Sequence, residues 1–237
     1  MSLVAAVVVP GAALLVPELA GGSVQQDAGL REQVLGAVRA LLAEPRGRLL
    51  VVGVAAVTGE RTGTWDWSSL GVRARGAGGG PALPLALAIG AWLLDVCGAG
   101  PDRTYLGVSP DSTPQACGQR GQELAAAGDL RMLVVGDGSA CRSEKAPGHL
   151  DARAEPFDAA VQRALAVGDG TALLALDPGL ARELQAAGRA PWQVLAGAAA
   201  GAGLAAELTV AVVPYGVCYL VARWWRPDMP TRRTEPP

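Results

Sequence analysis

The chain has 237 residues, half of them apolar, with 20 basic and 22 acidic side chains for a formal net charge of -2. A near-balance of this kind leaves no basic stripe for a polyanion, so nucleic acid is excluded as an expected partner. The apolar half is enough for one sizeable core. With 4% aromatic residues and a single Phe, that core has to be built from Ala, Val and Leu.

Leu3–Val9 is an uninterrupted apolar run rich in Val, as a strand buried on both faces requires. The longer stretch Leu3–Val16 has no basic residue before it and is interrupted by Pro10, which argues against a signal peptide. A helix is expected over Gly29–Leu42, where Leu30, Val34, Leu35, Val38, Leu41 and Leu42 recur at helical spacing. Leu49–Val54 reads as a second buried strand. Ala55–Pro81 then loses periodicity and reads as a long loop, of a length that is often functional. Its Trp65-Asp66-Trp67 suits either a ligand lid or a hydrophobic clamp, with the clamp preferred.

Leu83–Cys97 is apolar around the whole helix and should be buried. Arg103–Val108 is a third strand. Thr113-Pro114 sets a capping hydroxyl before a proline at the first helical position, which starts a helix running to about Ala127. Arg131–Val135 is a fourth strand and leads directly into Gly136-Asp137-Gly138-Ser139. Helices follow over Pro156–Val167, from Asp177-Pro178 to near Gly188, and over Trp192–Gly201, whose small residues permit close packing.

The apolar stretch Leu208–Ala222 falls short of the roughly 20 residues that span a bilayer, and Pro214-Tyr215-Gly216 would break a helix there. Two strands, Leu208–Val213 and Val217–Ala222, fit it better, so no membrane segment is expected and the protein should be soluble. The alternation predicts one three-layer α/β/α domain over residues 1–225, built on a mostly parallel mixed sheet with an antiparallel pair added at one edge. A polar, proline-rich and disordered tail is expected over 226–237. An exposed strand near the C-terminus leaves room for an oligomer.

Cys97, Cys117, Cys141 and Cys218 form no C-x-x-C pair, and their spacing does not suit a zinc knuckle. They read as packed thiols, which implies a reducing cytoplasm. The turn at Gly136, Asp137, Gly138 and Ser139 lies where open α/β sheets bind ligands, at the carboxyl edge. Two readings stand there. One is an ordinary tight turn. The other is an anion nest of backbone amides completed by Arg142 and by Lys145, the chain's only lysine. His149, the only histidine, is either a structural surface residue or an acid–base group in a pocket. A Ser139–His149–Asp151 triad lacks the G-x-S-x-G elbow. Cys141 is either packed or, if Arg142 lowers its pKa, reactive.

Four stretches carry a resemblance: Pro10–Glu18 after the first strand, Pro84–Leu94 in the central helix, Gly136–Val161 after the fourth strand, and Tyr215–Tyr219 near the end. Together they resemble the LigB-like class III extradiol ring-cleavage dioxygenases, in a short actinobacterial branch, over roughly Leu3 to Trp225. Ring-cleaving members hold ferrous iron with two histidines and a carboxylate, and use another histidine as acid and base. The resemblance puts Gly11 at the first ligand position and no histidine in the loop after the second strand. It puts Cys141-Arg142 where the acid–base histidine belongs, and leaves Glu183 as the nearest acid before the late helix. Three imidazoles are needed and one exists. A substitute site from Cys141, Asp137 and Glu144 would be a poor match for iron.

The expectation is therefore a LigB-like protein without a metal or other cofactor, which binds a small anionic or aromatic molecule or a partner protein. One alternative is a ring-opening dioxygenase with an atypical Fe(II) site. Another is a different enzyme acting on a small anionic substrate. The candidate catalytic residues are His149, Arg142 and Cys141; the candidate ligand-binding residues are Gly136, Asp137, Gly138, Ser139, Arg142 and Lys145.

Overall fold

The computed structural model describes residues 2–21, 28–77 and 79–227. Its seven strands are β1 (Leu3–Val9), β2 (Arg48–Val54), β3 (Gly59–Arg61), β4 (Arg103–Val108), β5 (Leu130–Val135), β6 (Ala205–Val212) and β7 (Tyr219–Trp225). They form one sheet in the order β3-β4-β2-β5-β1-β7-β6. The four central strands run parallel, and β3, β7 and β6 add to them antiparallel. This is the mixed α/β sheet that the alternation predicts, with the terminal pair at one edge.

Alternation along each strand divides the core in two. Ala5, Val7 and Val9 of β1, with Leu49, Val51, Leu133 and Val135, pack under α2 (Ala28–Ala43) and α3 (Leu85–Val96). Ala6 and Val8, with Leu50, Val52, Met132 and Val134, pack under α4 (Pro114–Ala126), α5 (Ala154–Val167) and α8 (Arg189–Ala199). The crossovers β1-α2-β2 and β2-α3-β4 advance in one direction across the sheet, and β4-α4-β5 returns. Crossovers of one hand that run in opposite directions must lie on opposite faces, and they do.

Thr113 caps α4 as its sequence suggests, its Oγ1 accepting from the Ala116 amide at 3.2 Å. Asp177 does the same for α7 (Pro178–Glu183), which stops five residues before Gly188 because Gln185 turns left-handed, with φ 53. The Ala186 amide reaches back to the Ala181 carbonyl at 2.8 Å, so Gln185 holds the position that usually falls to glycine in such a helix stop. Two short helices, α1 (Pro17–Ala20) and α6 (Gly170–Leu174), carry too few residues to show a period.

The expected loop Ala55–Pro81 is partly structured: β3 pairs with β4, and Thr64 and Asp66 bridge to Ala82 and Arg75. The last two strands are offset from Leu208–Val213 and Val217–Ala222 because Trp224 and Trp225 pair with Ala206 and Ala205, residues of weak strand propensity. Trp224 is buried and donates its indole N–H to the Leu165 carbonyl at 2.9 Å, which fixes the register against α5. Of the expected tail, 228–237 lie outside the described residues. Among those described, no helix is long and apolar enough to cross a membrane.

The small residues of α8 permit the close packing that the sequence suggests. A methyl at Gly121 of α4 would lie on the Val194 carbonyl oxygen, and one at Gly197 on the Gly118 carbonyl oxygen. Replacing either by Ala should therefore cost about 2–3 kcal/mol in urea unfolding, because backbone rather than a flexible side chain has to move. Gly36→Ala, on the open face of α2 with nothing near it, should instead raise stability by about 0.5–1 kcal/mol. Equal effects at the two kinds of position would contradict this α4–α8 contact.

Candidate functional site

The carboxyl ends of β1 and β5 are neighbours, and their chains depart to opposite faces of the sheet, which opens a crevice at the rim. Gly11 follows β1 and donates its amide to Asp137 Oδ1 at 2.8 Å. A methyl at Gly11 would sit 3.5 Å from Val135 Cγ1, 3.8 Å from Asp137 Oδ2 and 3.9 Å from Ala86 Cβ. Those are ordinary contacts, so the position would accept a methyl group without displacing its neighbours. Burial pushes the Asp137 carboxyl up to about 7, and the Gly11 amide opposes that shift. The outermost part of Asp137 keeps some exposure to solvent.

The glycines beside Asp137 serve the protein rather than a ligand. The amides of Gly136, Gly138, Ser139 and Ala140 donate to the carbonyls of Val9, Cys218 and Leu184 and to the Asp158 carboxylate. Gly188 in turn donates to the Asp137 carbonyl at 2.8 Å. A Cβ at Gly136 would strike Gly188 Cα, and one at Gly138 would lie 2.8 Å from Cys218 Cβ. Of the two readings of these positions, the nest of free amides is not formed by Gly136, Gly138, Ser139 and Ala140; the turn is packed against the α7–α8 joint and the residues that lead into β7.

Asp158 on α5 holds this arrangement and is absent from the sequence-based candidates. It is fully buried and accepts from the Ser139 amide at 2.8 Å, the Ser139 hydroxyl at 2.6 Å and Arg142 Nη1 at 3.2 Å. Arg142 reaches Glu155 as well, at 3.6 Å. Its guanidinium is thus turned inward onto carboxylates, while Lys145 is exposed at the surface. The spacing from Asp158 back to Ser139 crosses a loop without period, so nothing in the sequence links them.

The remaining candidates are scattered. His149 is exposed, in a left-handed conformation with φ 61, and its Nδ1 lies 2.8 Å from the Glu144 carbonyl. Asp151 binds Arg153 at 2.6 Å, which holds its carboxyl down to about 2. With Ser139 bound to Asp158 and His149 to Glu144, no Ser139–His149–Asp151 relay is assembled. Cys141 is buried; its thiol faces the Gly148 and Leu184 carbonyls at 3.5 Å. Burial, followed by Asp151 and Asp158, raises its pKa, the opposite of the activation that Arg142 would have supplied.

The donors needed for iron do not converge either. Gly11 offers no ligand, Glu183 is exposed and pairs with Arg153 at 2.6 Å, and Glu144 is at the surface. Among the described residues, no three His, Cys, Asp or Glu side chains are grouped to hold a metal. The described residues do not fit the facial site of ring-cleaving oxygenases.

At the α7–α8 joint, whose Gly188 amide donates to the Asp137 carbonyl, lies a cleft of about 200 Å³. Its walls are aliphatic (Val54, Pro110, Pro178, Ala181, Ala186 and Ala190), and Arg182, Gln185 and Arg189 supply its polar groups. These residues carry no sequence signal, because they come from the end of β2, the β4–α4 turn and the α7–α8 joint and make no motif. Trp65 and Trp67, in contrast, act as a clamp: their rings stack at 5.3 Å, Trp67 is buried among the α3-side core, and Trp65 donates to Asp95 at 2.7 Å.

No family model and no curated protein matches this chain.

Two predictions follow from the rim geometry. The Asp137 pKa is raised above the ordinary carboxylate range, so its contribution to stability is complete below pH 4 and is lost as the pH rises through about 7. Asp137→Asn keeps an acceptor for the Gly11 amide and removes this loss. The variant should be more stable than the parent at pH 8 by about 1–3 kcal/mol, with the advantage vanishing near pH 4, as read by denaturant unfolding. Cys141 should resist iodoacetamide at pH 8 in the folded protein and react only on unfolding; mass spectrometry showing rapid labelling at Cys141 would contradict its packed environment.

Proposed function

We propose that this protein is a LigB-like scaffold without the iron site, which binds a small molecule at the carboxyl rim of its sheet. The observation that carries the reading is the aliphatic cleft at the α7–α8 joint. It opens at the edge where parallel α/β sheets receive ligands, and its walls come from the ends of β2, the β4–α4 turn and the α7–α8 joint. Supporting it, the side chains that would grip iron or form a hydrolytic relay point elsewhere, and burial pushes the Asp137 carboxyl at the same rim up to about 7. The four free thiols agree with a reducing cytoplasmic setting. A dioxygenase with an atypical iron site, or an enzyme using Ser139 and His149, has no comparable feature in its favour.

Metal analysis together with NMR tests this reading. Protein purified from iron-supplemented cells should hold well below one iron per chain. A library of small acids, amides and alcohols should shift the amide resonances of Val54, Ala186 and Gly188 while leaving those of Lys145 and His149 in place. Iron retained at one per chain through gel filtration, or a library that moves only residues 143–150, would contradict it.

A further inference from the structure

The walls and mouth of the rim cleft are built in different ways, and the difference points to a ligand class. One wall is the turn Ser109–Ser112 after β4, and a buried arginine fixes it from beneath. Arg189 is only 2% exposed, and its guanidinium donates to the Ser112 carbonyl at 2.6 Å, to the Pro110 carbonyl, and to Gln193 Oε1 at 2.9 Å. Gln193, also buried, donates to the Leu173 and Leu176 carbonyls, both at 3.1 Å. That wall is held before any ligand arrives, which lowers the ordering cost of binding. Arg189 is buried and committed to this wall, so the solvent-accessible guanidinium at the cleft is that of Arg182.

The mouth is looser. Arg182 on α7 lines the cleft and pairs with Asp111, the residue next to the Pro110 wall, so that one ion pair joins the two sides. Both side chains are largely in solvent, 60% and 70% exposed. Exposed pairs of this kind contribute little to stability. A carboxylate entering the cleft can therefore take the place of Asp111 on the guanidinium at small cost, and it brings an apolar body that Asp111 lacks. Arginine receives a planar carboxylate through two parallel N–H donors. One available guanidinium matches one negative charge. The walls named above contain Val, Pro and Ala and no aromatic ring, so they suit a compact aliphatic group rather than a stacked one.

We propose that the cleft takes a short, branched aliphatic monocarboxylate whose carboxylate displaces Asp111 from Arg182. The proposal rests on the reading of the rim as a small-ligand site and adds the charge and shape of what enters. It gives Arg182 the role of binding residue and Asp111 that of an internal competitor.

Isovalerate and its uncharged analogue isovaleramide serve as probes, titrated into the full chain and followed by amide NMR at Val54, Ala181 and Ala186. Isovalerate should bind the parent several-fold more tightly than isovaleramide, within the range an exposed guanidinium can supply. Arg182→Gln should remove that preference. Asp111→Asn should tighten isovalerate several-fold, up to about fivefold if the whole worth of an exposed pair is released, and leave isovaleramide unchanged. The spectra of both variants report on folding in the same experiment. Equal affinity for the two probes in the parent, or tighter binding absent in Asp111→Asn, would overturn the proposal while leaving the small-ligand reading intact. If neither probe moves these resonances but other library members do, the ligand class is wrong; if nothing in the library moves them, the small-ligand reading fails as well.

Discussion

A carboxylate removed from water needs several donors, and Asp158 obtains them from a single stretch of chain. The Ser139 amide, the Ser139 hydroxyl and the Arg142 guanidinium all converge on it inside the layer beneath α5. Desolvating an ionised carboxylate without such partners costs several kcal/mol, so the helix and the turn constrain each other. Once Ser139 and Arg142 are drawn inward, the segment Gly136–Arg142 has to run against the α7–α8 joint and the approach to β7. It does so by donating its amides to Cys218 and Leu184, while Arg142 donates its own amide to Gly216. Glycines at 136 and 138 are what allow the chains to meet that closely, and Gly188 leaves room for the Trp192 ring.

The rim inherits its chemistry from this constraint. Ser139 and Arg142 are committed inward, whereas Asp137 follows the parity of Val135 and points to the α3 side, beside Gly11. Burial pushes its carboxyl up to about 7, against the one backbone donor, Gly11, that opposes the shift. The adjoining cleft is shaped by the same α7–α8 joint, whose amide at Gly188 donates to the Asp137 carbonyl. The cleft and the raised carboxyl are thus two consequences of one packing arrangement.

The layered architecture was legible because it depends on periodicity. Val7 and Val8 announce a strand covered on both sides, Thr113-Pro114 and Asp177-Pro178 announce helix starts, and the structure places them so. Edges were harder. Gly59–Arg61 is three residues long, and Ala205-Ala206 owe their strand to the tryptophans opposite, which no local pattern reveals. The candidate site was legible in its location but not in its roles. Gly136 and Gly138 do mark a close backbone approach at the carboxyl edge, but what approaches is the protein itself. The sole histidine and the sole lysine drew notice by rarity, and both lie at the surface. Asp158, Arg182 and Arg189 act through contacts 16 to 79 residues away in sequence, beyond the reach of any spacing rule.

The decisive question is whether the amides of the rim turn face the protein or a ligand, and hydrogen exchange answers it residue by residue. With Asp158 holding the turn, the Gly138, Ser139 and Ala140 amides should exchange only through unfolding of the whole domain, at rates that inorganic phosphate does not change. Fast exchange at these three positions, slowed specifically by added phosphate, would mean that they form an open anion cradle and that the inward-turned rim described here is incorrect.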